Sequence, residues 1–300
     1  MNKSIIKNIK PLGFTWETQD PFLFCAYHRD QYPMGNSQMG LNHEALKGRN
    51  IGQDFVVKDG WRMYHGEKIP GFPYHPHRGF ETVTIAYQGS VAHHDSGGGG
   101  GVIEEGDVQW MTAASGVLHK EYHSESFSKT GGDFQMVQLW VNLPSKHKMN
   151  NPSYQAIQNN LMPKIQVEGG LIEVIAGEFN GHKGAASTFS PVHLMNAKLN
   201  KGGKASLSFP AHYNTALIVI EGEVKVNGTE EVPLDHFVLM ANDGEDFSIT
   251  ASVDSVVLIL SGEPLKEPIA AHGPFVMNTR EEIMQAFQDY ELGKFGVLED

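Results

Sequence analysis

Glu81 to Tyr87 reads ETVTIAY and stops at the turn Gln88-Gly89-Ser90. β-Branched and aromatic side chains suit a pleated, half-buried surface, and a glycine-bearing turn ends such a run. The same pattern extends outward from this stretch. Val108–Thr112, Phe134–Val141, Leu171–Ala176 and Ala205–Phe209 are further short runs bounded by Gly, Pro, Asn or Asp. Ala216–Ile220, the turn Glu221-Gly222-Glu223, Val224–Val226 and Asn227-Gly228 predict two strands and two tight turns. Ser255–Ser261 (SVVLILS) has the length and unbroken apolarity of a fully buried strand. Helical patterns do not alternate with these runs, which argues against a parallel βαβ sheet.

The two halves of the chain echo one another weakly. Tyr87-Gln88-Gly89 and Ile220-Glu221-Gly222 are matching turns, and Gly106-Asp107-Val108 and Leu234-Asp235-His236-Phe237 each lead into another strand. The echo suggests a duplicated β-barrel joined near Leu143 to Met162, where Pro, Lys, Asn and Gln cluster. One helix is signalled at the C-terminal end. Thr279 and Glu282 have capping-box spacing, Ile283, Phe287 and Tyr290 form an apolar stripe, and Gly293 stands at the stop.

Composition narrows the function classes. The 300 residues contain 40% hydrophobic and 19% charged side chains, enough for a sizeable core and unlike a disordered chain. A formal net charge of −12 disfavours direct nucleic-acid binding, because such a surface repels phosphates. A single cysteine, Cys25, excludes a disulfide framework and a thiolate zinc cluster, and points to a reducing, cytoplasmic setting. MNKSIIKNIKPLGF at the start has no signal-peptide character, and no run approaches the ~20 apolar residues of a membrane span. Fifteen histidines against one cysteine direct any metal search toward imidazole and carboxylate ligands.

His75-Pro76-His77 places two imidazoles on one side of an extended segment, with Pro76 suited to a sheet edge; two surface histidines in a loop fit the triplet as well. His119, Glu121 and His123 share one face of a second strand. Two such pairs in β context favour a metal site over chance. Glu81 is open to three roles: ligand, acceptor orienting an imidazole, or ion-pair partner of Arg78. Gly97–Gly101 lacks the Lys-Ser/Thr ending and following helix of a phosphate loop and reads as a flexible hairpin connection, with His93, His94 and Asp95 as ordinary strand-end residues.

HPHRGFETVT (residues 75–84), GDVQWMTA (106–113), GVLHKE (116–121), QLWVNLP (138–144) and GPFVMNT (273–279) together closely resemble the signature of the pirin family. The resemblance implies an all-β bicupin: two antiparallel β-barrels of the cupin or jelly-roll type with a short C-terminal helix. The corresponding division is a metal-binding domain over 1–145, a linker over 146–162 and a second cupin domain without metal ligands over 163–300, terminal helix included. Carried over by position, the family's ligands fall on His75, His77, His119 and Glu121. Glu81 takes the place of a cupin glutamate that pirins keep without using as a ligand, and His123 falls outside the pattern. In the second half His193, His212 and His236 are isolated.

Three neutral imidazoles and one carboxylate would leave a divalent metal with one net positive charge and, in octahedral geometry, two free positions. Iron(II) is the first choice, with manganese, nickel, copper, cobalt or zinc as alternatives. Family members that resemble quercetin 2,3-dioxygenases imply a small aromatic substrate, a flavonol, cleaved with O₂ and release of CO. On that reading Glu121, the sole carboxylate ligand, is the candidate base. Phe80, Trp110 and Met111 are expected to line the pocket. The rival implied by the same resemblance is a non-catalytic metal- or redox-sensing regulator that acts through protein partners. The chain is expected to be a monomer.

Overall fold

Residues 5–298 are described by a computed structural model in which strands dominate. ETVTIAY lies within the strand Phe80–Gln88, and Val108–Thr112 is a strand with the expected bounds. Ser255–Gly262 is buried along nearly its whole length, as its unbroken apolar run requires. Ala205–Phe209 is no separate strand. Ala205 belongs to the 17-residue strand Val192–Ser208, and Phe209 falls outside it. Gly202-Gly203, which reads as a boundary, sits inside that strand, with Gly202 at φ +81°.

The chain forms two units. The first comprises the chain up to Phe24 together with Asn159–Lys266. Its sheet runs in the order Ile6–Pro11, His236–Met240, Asn214–Glu221, Ser255–Gly262, Val192–Ser208, Asp246–Ala251, Glu223–Val226 and Glu230–Pro233, with Lys164–Ala176 also on Val192–Ser208. Val192–Leu199 pairs with Ser255–Gly262, whereas Lys204–Ser208 pairs with Asp246–Ala251. One long strand thus bends the sheet into a nearly closed barrel, filled by inward residues such as Met195, Leu217, Val219, Val257 and Ile259.

The second unit comprises Cys25–Gln158 and the chain from Glu267 onward. One sheet has the order Gly71–His77, Val117–His123, Val91–Asp95, Gly100–Ile103. The other has the order Ser153–Ile157, Val108–Thr112, Phe80–Gln88, Gly132–Asn142, Phe22–Tyr32. Gly71–His77 is an edge strand, so Pro76, which has no N–H to donate, withholds nothing from the ladder.

Both termini depart from the expected division at 145 and 163. Ile6–Pro11 pairs with His236–Met240, satisfying an edge that would otherwise be open. The terminal helix, Arg280–Glu291, buries Ile283 and Ala286 against Leu118 and Phe275 of the second unit. Terminal segments whose partners lie far away in sequence leave no local periodicity to betray them. The helix itself is as expected: Thr279 Oγ1 accepts from the Glu282 N–H at 3.2 Å, and Glu282 Oε2 accepts from the Thr279 N–H at 3.0 Å. Among the described residues, no helix is long and apolar enough to cross a membrane.

Candidate metal centre

The edge strand and its neighbour bring the histidines together. In their antiparallel register His75 faces His119 and His77 faces Val117. His75 Nε2 lies 3.1 Å from His77 Nε2 and 2.9 Å from His119 Nε2. All three rings are held neutral, because burial lowers their pKa values; at His77 and His119 the neighbouring His75 adds to the effect.

The outer nitrogens decide what the inner ones can do. His75 Nδ1 lies 2.8 Å from the Pro73 carbonyl, and His77 Nδ1 lies 3.3 Å from the Pro274 carbonyl. A carbonyl only accepts, so each Nδ1 carries the proton and each Nε2 is a bare lone pair. Bare lone pairs 3.1 Å apart repel unless a cation lies between them. With metal–nitrogen bonds of about 2.1 Å, adjacent octahedral ligands are separated by about 3.0 Å, close to the spacings observed here. The donor set therefore fits a divalent ion.

The fourth expected ligand is arranged differently. Glu121 groups with His119 and His93, each offering a ligand atom within 4.8 Å of the others, while His75 and His77 group with His119. The Glu121 carboxylate accepts hydrogen bonds from Gln109, from Gln138 at 2.7 Å and from the Thr84 hydroxyl at 3.2 Å. It is thus an acceptor held by three neutral donors, one strand residue away from the imidazoles. Gln109 and Gln138 were not among the expected site residues. Their signal is a buried glutamine inside an apolar run, VQWMT and VQLWV.

Packing sets the His77 ring. Phe80 and Trp140 stack on each other with centroids 4.2 Å apart and lie 5.0 and 5.2 Å from His77. The turn between the strands Gly71–His77 and Phe80–Gln88 requires Gly79: its φ is +89°, and an added Cβ would stand 1.9 Å from the Val276 carbonyl oxygen. Arg78 does not pair with Glu81. It reaches Asp289 of the terminal helix at 2.9 Å and the Ser115 carbonyl, locking the ligand-bearing turn to that helix. Glu81 instead accepts from the Thr112 hydroxyl at 2.7 Å and stands outside both ligand groups. His123 packs edge-on against Tyr32 and Phe127 and also lies outside them.

Phe80, Trp110 and Met111 are buried in the core and are not among the residues that line the cavity reaching Glu121. The cavity that reaches Glu121 is lined by Tyr32, Met63, Tyr64, Phe72, Phe134 and His123 and has a volume of about 30 Å³. Strands 22–32 and 61–64, absent from the sequence reading, supply His28, Tyr32, Arg62, Met63 and Tyr64 to that wall. Both ligand groups found among the described residues lie in this unit.

Comparison with known proteins gives a consistent result. The profile of the family described as "Pirin" matches residues 11–141, and that of the "Pirin C-terminal cupin domain" matches residues 194–296. A Pseudomonas aeruginosa protein named "Putative quercetin 2,3-dioxygenase" is 50% identical over 227 residues, 75% of this chain and 79% of that protein. The crystal structure of a quercetin 2,3-dioxygenase from Acinetobacter baumannii aligns with a TM-score of 0.82 and 39% identity, over 99% of this chain and 100% of that one. A bacterial pirin from Escherichia coli, solved in complex with nickel(II), shares the fold at a TM-score of 0.54 and 20% identity, over 83% of this chain and 94% of that one.

Proposed function

The chain belongs to the pirin family, and from that membership and its imidazole cluster we propose that it is a metal-dependent dioxygenase of the quercetin 2,3-dioxygenase type. The observation that carries the reading is the convergence of three Nε2 atoms, two of them bare because their outer nitrogens are tied to carbonyls. His75, His77 and His119 would hold the ion, with Glu121 as the fourth ligand. Iron(II) is the first candidate, and the nickel(II) complex of the E. coli protein supports a divalent ion in this fold. Bound there, the ion would supply Lewis acidity that lowers the pKa of a flavonol 3-hydroxyl, and open positions for substrate and O₂.

The chain's own groups do the rest. Glu121 would take the hydroxyl proton on a carboxylate oxygen, and Gln109, Gln138 and Thr84 hold that carboxylate in place. Phe80 and Trp140 keep the His77 ring from turning. The deprotonated substrate would then combine with O₂, the two C–C bonds to its 3-carbon would break, that carbon would leave as CO, and Glu121 would return its proton to the carboxylate of the ring-opened product. The single cysteine, Cys25, is buried and unpaired with another thiol, which suits a reducing cytoplasm.

The cavity beside Glu121 supports a second reading. A volume of about 30 Å³ has room for O₂ or a water molecule but not for three aromatic rings, so a flavonol would require the cavity to open. A regulator that binds metal and meets protein partners needs no such opening. Oxygen uptake by the iron(II)-loaded protein across a flavonol panel separates the two, with metal content measured alongside. Glu121→Gln should retain the fold and lower flavonol-dependent uptake by at least ~10²-fold, the usual effect of losing a general base. Wild-type protein with a full complement of iron and no uptake with any flavonol would leave the regulator.

A further inference from the structure

His93, Asp95 and the run Gly97–Gly101 have no part in the mechanism so far, yet they are built onto His119. His93 is fully buried, and its ring is stacked on Tyr154 with centroids 4.9 Å apart and an interplanar angle of 16°. Its Nε2 lies 3.1 Å from Asp95 Oδ2, and its Nδ1 lies 3.4 Å from His119 Nδ1. The other carboxylate oxygen, Asp95 Oδ1, accepts from the backbone N–H groups of Gly97 at 2.8 Å and Gly99 at 2.9 Å. Gly99 leaves no room for a side chain beside that carboxylate. A Cβ on Gly99 would stand 2.3 Å from Asp95 Oδ2 and 2.7 Å from the Tyr154 Cβ.

The proton positions follow link by link. Backbone N–H groups only donate, so Asp95 is an acceptor at Oδ1. Burial raises its pKa, but hydrogen bonds from His93, Gly99 and Gly97 outweigh that effect and leave it below the ordinary value. With Oδ1 taken up by two backbone donors, the Asp95 carboxylate accepts at Oδ2 from His93 Nε2–H, and an imidazole that carries its proton on Nε2 presents a lone pair at Nδ1. That lone pair faces His119 Nδ1, so His119 carries its proton on Nδ1 and turns a bare Nε2 toward His75. Ligand histidines are commonly oriented by a hydrogen bond to the other ring nitrogen, and here the orienting group is a second imidazole backed by a carboxylate.

We propose that Asp95 and His93, cradled by the Gly97–Gly101 loop, are positioning residues that fix the tautomer of His119 and aim its Nε2 lone pair at the metal. The glycine run is then a carboxylate cradle and not a slack connection. This inference rests on the metal reading above for its consequence, but the tautomer is testable without any metal.

In metal-free protein labelled with ¹⁵N-histidine, and assigned with a His119→Gln variant, His119 should show the Nδ1–H pattern. His93→Phe keeps a ring on Tyr154 but offers no acceptor, so that pattern should be lost. The same variant should bind cobalt(II) about 10–100-fold more weakly, the usual cost of removing an orienting partner. His93→Gln, whose Oε1 can still accept, should recover most of the loss; a Gln variant no better than Phe would mean that the ring merely packs and would overturn the proposal. So would a wild-type His119 protonated on Nε2, or a Phe variant with unchanged tautomer and affinity. If His93→Phe does not fold, Asp95→Asn leaves every ring in place and should weaken cobalt(II) about tenfold, unchanged binding being the refuting result. Wild-type protein that takes up no cobalt(II) would refute the metal reading alone, while the tautomer and its dependence on His93 would still decide the relay.

Discussion

The two barrels share strand pairing and differ in what they put inside. The unit that holds Asn159–Lys266 fills its interior with one continuous apolar cluster, from Ile172 and Val174 through Leu217 and Val219 to Val257 and Ile259. The other unit packs apolar groups such as those around Tyr32 and Phe134 and around Leu118 and Phe275, and in addition buries His77, His93, His119, Glu121, Gln109 and Gln138. The difference does not lie in the ability to orient a ring. His236, in the first unit, sets its Nδ1 2.9 Å from the carbonyl two residues earlier, the device that orients His75 through Pro73. What His236 lacks among the described residues is two companion imidazoles whose lone pairs meet its own. A metal centre needs that convergence, and a register that sets His75 opposite His119 supplies it.

The contrast can be broken most severely through the metal. His119→Ala removes the ring shared by both ligand groups, and tightly bound metal should fall from one equivalent per chain toward zero. His193→Ala, in the apolar barrel, should leave it at one. Elemental analysis of protein purified without added metal checks both, and two equivalents in the wild type would refute a single centre. A core deletion should have the opposite profile. Ile259→Ala, fully buried in the apolar barrel, is expected to cost about 2–5 kcal/mol in denaturant unfolding while cobalt(II) affinity stays constant. A large change in affinity would show that the two interiors are coupled.

Much of this was legible in the sequence, and the exceptions have physical causes. Strands with local alternation or continuous apolarity, such as Phe80–Gln88 and Ser255–Gly262, declare themselves because their partners demand a hydrophobic face. The capping box at Thr279 is equally local. Three of the four expected ligands converge because residues two apart on a strand share a face, which the spacing of His75 and His77 encodes. The cavity wall was not legible: Tyr32, Tyr64 and Phe134 meet only through pairings distant in sequence, so no spacing foretells them. Nor was the cradle around Asp95, since a glycine run looks the same whether it is slack or wrapped around a carboxylate. The termini failed for the same reason, each pairing with a distant segment.

Two buried glutamates sharpen the comparison further. Glu173, in the apolar barrel, has Lys198 Nζ 3.0 Å and Lys164 Nζ 3.7 Å from its carboxylate. Glu81, in the barrel that holds the imidazole cluster, accepts from the Thr112 hydroxyl and has no cationic partner among the ion pairs of the described residues. Burial pushes the Glu81 pKa up to about 7, against a smaller opposing pull from the Thr112 hydrogen bond. The sign follows from linkage. A carboxyl with a raised folded-state pKa binds its proton more tightly when folded, so its full contribution to stability is present below the unfolded value of 4.5. That contribution is lost as pH rises through about 7, and the difference between the two values corresponds to about 3 kcal/mol. Glu81→Gln, measured on metal-free protein, should therefore be no more stable than wild type at pH 4 and gain up to about 3 kcal/mol by pH 8. The stability difference between variant and wild type, plotted against pH, should bend between those limits; a flat difference would show that Glu81 titrates in the folded barrel as it does in the unfolded chain.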